Sequence, residues 1–257
     1  MLFWSRRRRG SQRGYFTVVE NNLAGEVFDP TLTTLVPTTV IWASSDGYTA
    51  VTTGTTHSVS YTVPANGPRT WNIYCGIGLS VIRTFDMNTD KVVHIDVSLL
   101  LYATSMTAHT NASLVMALTD LPVGLTYADF SSDSSLTAGS VSALMLIRDL
   151  RLYSIGWNAA SIDIVLLSIS NAIHANVNHF TYATPSLQIG GTNAAPGGTP
   201  AAATTSPLVT PGSGNSDTDW QWDAGAGKHK ALTGMAAIWI MRNNTGHAWT
   251  VTATGVA

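Results

Sequence analysis

A chain of 257 residues can bury a sizeable core. With 45% hydrophobic but only 11% charged residues, against ~25% in ordinary soluble domains, much of its surface must be neutral. A neutral surface lacks the ion cover that keeps monomers apart, so burial in an assembly is expected. One cysteine, Cys75, excludes an intrachain disulfide and a Cys-based metal site. No apolar run reaches the ~18 to 20 residues of a membrane-spanning helix, and no apolar stretch after Arg13 reads as a cleaved secretory signal.

Residues 1–15 read as a basic N-terminal arm. Arg6, Arg7, Arg8, Arg9 and Arg13 are five of the thirteen basic residues and precede an acidic body. A run of guanidinium forks pairs with phosphate oxygens without reading bases, which makes nucleic acid the first candidate partner. Phe3 and Trp4 suit the headgroup level of a membrane, so an internal membrane is the other candidate. Pairing with the acidic body of a neighbouring subunit is the third possibility.

Beyond the arm, residues 16–257 are expected to form a single all-β domain, an antiparallel β-sandwich of jelly-roll type. Threonine occurs 34 times, glutamate twice and lysine three times, a bias toward sheet. Strands are expected at 16–19, 36–42, 58–63, 71–74, 79–85, 92–102, 113–118, 162–169, 236–241 and 248–253. Asp46-Gly47, Asn66-Gly67-Pro68, Met87-Asn88-Thr89-Asp90 and Asn243-Asn244-Thr245-Gly246 supply turn chemistry between them. Residues 136–152 mix helical with alternating spacing, and one short helix is allowed near them. Residues 184–227, rich in Gly, Pro and Thr, are expected to be a long surface loop inserted into the sandwich. No internal repeat of solenoid or propeller length is evident.

Chemistry-bearing patterns are sparse. Gly225-Ala226-Gly227-Lys228-His229 misses the first glycine and the Ser/Thr of a phosphate loop, and Gly76-Ile77-Gly78 lacks the third glycine of a dinucleotide fingerprint. No strained turn presents a serine nucleophile. His94 with Asp96 and His174 with His179 are pairs, too few for a metal site. Asp217, Asp219 and Asp223 offer oxygen ligands without EF-hand spacing. Trp220 and Trp222 could form a partner- or glycan-contacting face on a strand, or could plug the end of the sandwich. The chain is therefore expected to be no enzyme, with no cofactor, metal or small-molecule substrate.

An Arg-rich arm ahead of an acidic, Thr-rich, all-β body of this size resembles the single jelly-roll coat proteins of small non-enveloped viruses. The resemblance implies a self-assembling virion subunit that contacts copies of itself and other virion proteins, with Arg6, Arg7, Arg8, Arg9 and Arg13 facing the shell interior. The alternative is a phage fibre, spike or decoration protein, or a carbohydrate-binding module.

Overall fold

The computed structural model describes residues 14–87, 91–97, 100–111, 113–207 and 218–256. The expected arm residues Phe3, Trp4, Arg6, Arg7, Arg8, Arg9 and Arg13 lie outside these, as does Asp217. The fold is β-rich, as expected, but two architectures share one continuous sheet of eleven strands.

The first half is antiparallel. Strands β1 (Tyr15–Glu20), β3 (Thr31–Ser44), β4 (Thr49–Ser58), β6 (Arg69–Cys75) and β8 (Val92–Ile95) form an end sheet ordered β8-β1-β6-β3-β4. The short pair β2 (Val27–Phe28) and β5 (Tyr61–Thr62) lies beside it. Alternation drives this sheet: Phe16, Val18, Val40, Trp42, Trp71 and Ile73 point inward and are buried. Phe28 stacks on Trp71 with ring centroids 4.6 Å apart, and Phe16 meets Phe85 edge-on at 4.9 Å.

Beyond β7 (Ile82–Asp86), which joins β3 antiparallel, every pairing along the sheet is parallel. The strands are β9 (Ser105–Thr107), β10 (Tyr127–Asp129), β11 (Asp149–Arg151), β12 (Ser186–Gln188) and β15 (Thr250–Thr252). Their central residues Phe85, Met106, Ala128, Leu150, Leu187 and Val251 face each other across the ladder and are all buried. The first four recur at intervals of 21, 22 and 22 residues. This is a solenoid of stacked coils, and it corrects both the expectation of no internal repeat and that of an antiparallel sandwich throughout. One coil reads Ala103-x-x-Met106-x-Ala108-x-x-Asn111, the spacing of the L-x-x-L-x-L-x-x-N order of leucine-rich solenoid coils.

Each coil turns the same way. Thr110, Ser132, Ser154, Gly191 and Gly255, four residues beyond the central residues of β9, β10, β11, β12 and β15, have φ of 65°, 65°, 58°, 75° and 72°. A left-handed residue at this place bends the chain out of the strand. Buried amides then tie coil to coil. Asn111 Nδ2 donates to the carbonyls of Met87 and Ala108 at 2.9 and 2.8 Å, and Asn193 Nδ2 donates to those of Leu152 and Ile189 at 2.8 and 2.9 Å. Backbone groups inside the stack are thereby satisfied where strand pairing ends.

Two helices interrupt the coil rhythm, both where strands were expected. Helix α1 (Ala159–Ala175) buries Ile162, Val165, Leu166, Ile169 and Ile173, a helical stripe, and the Asn158 side chain accepts the Ser161 N–H at its start. Helix α2 (Gly234–Arg242) begins at the Thr233 cap and packs against α1. The hairpin β13 (Trp220–Asp223) and β14 (Lys228–Ala231) precedes it. Residues 136–152 contain β11 and no helix.

The described part of 184–227 is integral to the fold rather than a bare loop. It supplies β12, the buried Asn193, Ala202 and Ala203, and the buried β13 residue Trp220. Asp219 ties this segment together, accepting the Thr199 hydroxyl at 2.6 Å and the Thr233 hydroxyl at 2.8 Å.

Candidate functional site

In a parallel ladder the residues flanking each buried centre point to the opposite face. Two outward rows result. One runs Thr84, Ser105, Tyr127, Asp149, Ser186, Thr250, and the other Asp86, Thr107, Asp129, Arg151, Gln188, Thr252. Short strands fixed by the buried stack beneath hold these polar side chains at strand spacing, about 4.8 Å.

The middle of the face carries a linked cluster. Arg151 Nη2 lies 2.8 Å from Asp149 Oδ2, and its Nη1 lies 3.8 Å from Asp129 Oδ2. Tyr127 donates its hydroxyl to Asp129 Oδ2 at 3.3 Å, and the Arg151 guanidinium sits 5.3 Å from the Tyr127 ring centroid. Asp129 Oδ1 accepts the Ser131 N–H. The hydrogen bond to Asp149 holds the Arg151 proton more tightly than usual. Burial, and then the neighbouring Asp129 charge, raise the Tyr127 hydroxyl above its ordinary range. Tyr127 therefore stays neutral at physiological pH. Asp149 Oδ1 is buried without a hydrogen-bond partner. Next to these strands in sequence, Arg148 stacks over Tyr182 at 5.3 Å, and Arg83 donates to the carbonyls of Ser80, Ile82 and Tyr102.

The residues singled out in the sequence lie elsewhere. Trp220 is 2% exposed and packs edge-on against Trp239, so it plugs the interior and contacts no ligand. Trp222 is half-buried beside His229, with ring centroids 5.0 Å apart, and borders a cleft of about 370 Å³ between the hairpin and α2. His174 pairs with Asp223 Oδ2 at 2.9 Å, whereas His179 meets the Ser142 carbonyl at 2.6 Å, so the two histidines do not converge. Asp223 Oδ1 accepts the N–H groups of Gly225 and Ala226, which makes the glycine-rich stretch the hairpin turn. Among the described residues no three His, Cys, Asp or Glu side chains gather as a metal site. His94 lies exposed on β8 and meets the Val115 carbonyl.

Sequence reasoning missed the Tyr127, Asp129, Asp149 and Arg151 cluster. The available signal was the recurrence of the apolar residues Ala103, Leu125 and Ile147, 22 residues apart and each three residues ahead of the buried centre of β9, β10 or β11, which would have placed those four residues on one face. None of the protein families, curated proteins or solved structures compared with this chain matches it.

Proposed function

We propose that this chain is a non-catalytic recognition protein of the fibre, spike or decoration kind, or a carbohydrate-binding module, and that the ladder face receives a neutral, hydroxyl-rich ligand such as a glycan. The carrying observation is the polar make-up of that face. Its two rows hold seven uncharged polar residues, Asp86, Asp129 and Asp149 against the single arginine Arg151, and the Tyr127 ring beside that arginine. A polyanion would meet three carboxylates and one guanidinium there, whereas the Asp129 and Asp149 carboxylates are already held by Arg151 against a polycation. A sugar hydroxyl can donate to Asp129 and accept from Arg151, while its C–H face lies on an aromatic ring.

Calorimetry or an array of neutral glycans tests this with the full chain. Binding should weaken more than tenfold in the Tyr127→Ala/Arg151→Ala variant while circular dichroism stays unchanged. No binding by the wild type, or equal binding by the variant, would refute the reading.

The second reading is the shell-forming coat subunit. The uncharged rows on the outer face of β1, β6, β3 and β4 favour it, because a tile must bury such surface. Replacing Arg6, Arg7, Arg8, Arg9 and Arg13 by Gln should then flatten the salt dependence of nucleic-acid binding by up to about 3.5 to 4.5 log units per log unit of salt. For a membrane partner, the same change should abolish binding to anionic vesicles. Closed shells in the electron microscope support this second reading, and small discrete oligomers support the first.

A further inference from the structure

The geometry points to β4 as the seam of a two-fold dimer, in which the edge strands of two copies pair antiparallel about Val51 and join two end sheets into one. This inference does not depend on what the ladder face binds.

Strand β4 is the outermost strand of the end sheet and pairs with β3 alone among the described strands. An edge of this length presents a row of unpaired N–H and C=O groups, and monomeric proteins protect such edges with lysine, proline, bulges or inward charges. The two halves of β4 differ. The ladder to β3 slips between Thr33 and Thr38, where the extra residues lie on β3, and His57 of β4 is buried. The other half, Thr49-Ala50-Val51-Thr52-Thr53, pairs regularly with β3 and contains no charge and no proline.

The face beside this edge is uncharged as well. Tyr15, Tyr74, Ile41 and Val51 form one cross-strand row through β1, β6, β3 and β4, and they are 47%, 38%, 38% and 61% exposed. Thr17, Asn72, Ala43 and Thr49 form the next row. Isolated exposed apolar residues are ordinary, but four in register across four strands make a patch.

A second copy is the occupant assigned here because it brings to this charge-free edge a strand equally free of charge and an apolar row that extends the one already present. With the two-fold axis at Val51, Thr49 faces Thr53 of the partner subunit and each Val51 faces the other. Residues of equal parity meet, so outward faces match outward faces. The apolar row then continues without a break from Tyr15 of one copy to Tyr15 of the partner subunit. Neither copy brings a charge to the seam, and a charged partner strand would have nothing to pair with there.

Sedimentation of the full chain across a concentration series tests this, with three proteins compared. Wild type should show a reversible monomer–dimer equilibrium. Val51→Lys, a change at an exposed site, should weaken dimerisation more than tenfold with an unchanged circular dichroism spectrum. Val51→Cys should form a covalent dimer on mild oxidation, whereas Val123→Cys, 56% exposed on a ladder turn, should not. A wild type that stays monomeric at about 100 µM, an oligomer that survives Val51→Lys, or equal cross-linking of both cysteine variants would overturn the assignment.

Discussion

Asp133 accepts the backbone N–H of Asn111 through Oδ1 at 2.6 Å, and the two residues hold the same place in successive coils. Asn111 and Asn193 use their amide N–H groups to bind carbonyls of their own coil and of the preceding one. Asp133 has no such donor when ionised, and its Oδ2 is buried without a partner. Burial pushes its carboxyl up to about 8, against the pull of the Asn111 N–H.

The first prediction follows from that carboxyl. Its folded value lies above the ordinary 3.8, so its contribution to stability is complete below about pH 4 and is lost as pH rises through about 8. Asp133→Asn keeps the Oδ1 acceptor and adds the donor its neighbours have. Thermal melts from pH 5 to 9 should show the wild type losing stability while the variant stays flat. At pH 8 the variant should be more stable by on the order of 2 kcal/mol. Parallel curves for the two proteins would refute the assignment.

The second concerns the left-handed residue of each coil. Ser132 is exposed with φ of 65°, so glycine there relieves strain while a β-branched residue adds it. Ser132→Gly should be neutral to stabilising, and Ser132→Val should cost about 1 to 2 kcal/mol in chemical denaturation. Gly191→Ala should cost at least as much, since a Cβ there would meet Ser154 Oγ and come within 2.7 Å of the Tyr153 ring.

These coils show where the sequence was legible and where it was not. Strands at 16–19, 71–74 and 248–253 carry regular alternation or flanking turns, and the structure has strands there. Apart from the five-residue β7, the ladder strands are three residues long, too short for alternation to register, and their inward residues vary from Ala128 to Met106. Composition hid the helices. Residues 162–169 are β-branched and apolar, yet Ile162, Val165, Leu166 and Ile169 follow helical spacing behind an Asn158 cap. The candidate cluster was illegible because Tyr127 and Asp149 adjoin only once the coil period is recognised.

A third prediction reverses the expectation that residues 184–227 are a long surface loop inserted into the sandwich. Replacing residues 184–227 with a short Gly/Ser link removes β12, whose Leu187 is fully buried between Leu150 and Val251. It also removes Asn193, which holds the Trp157 N–H at 3.0 Å and two carbonyls. The shortened chain should lose its cooperative melt. Leu187→Ala, a milder probe of the same stack, should cost roughly 2 to 5 kcal/mol. A shortened chain that melts cooperatively near the wild-type temperature would show that the ladder closes without β12.

The last prediction concerns the end sheet that carries the proposed seam. Arg69 is buried at the start of β6, with Nη1 3.4 Å from the fully buried Glu20 and Nε 2.9 Å from Asp46. It also donates to the carbonyls of Ala65 and Gly67, so one guanidinium ties β1, the β3–β4 turn and the loop before β6. Burial would raise the Asp46 carboxyl, but hydrogen bonds from Ser44, Tyr61 and Arg69 outweigh it and hold the group at about 2. That depressed value means the contribution of Asp46 is present above about pH 4 and is lost as pH falls through about 2. Arg69→Met leaves Glu20 buried beside no cation and should cost roughly 3 to 5 kcal/mol. Adding Glu20→Gln removes the stranded charge and should restore part of that loss, because the penalty lies in the unpaired carboxylate more than in the missing ion pair. Urea denaturation of the two single variants and the double variant forms a complete cycle. Strictly additive losses would mean that Arg69 acts through its backbone contacts alone and that Glu20 is held by the Asn22 N–H at 2.7 Å without it.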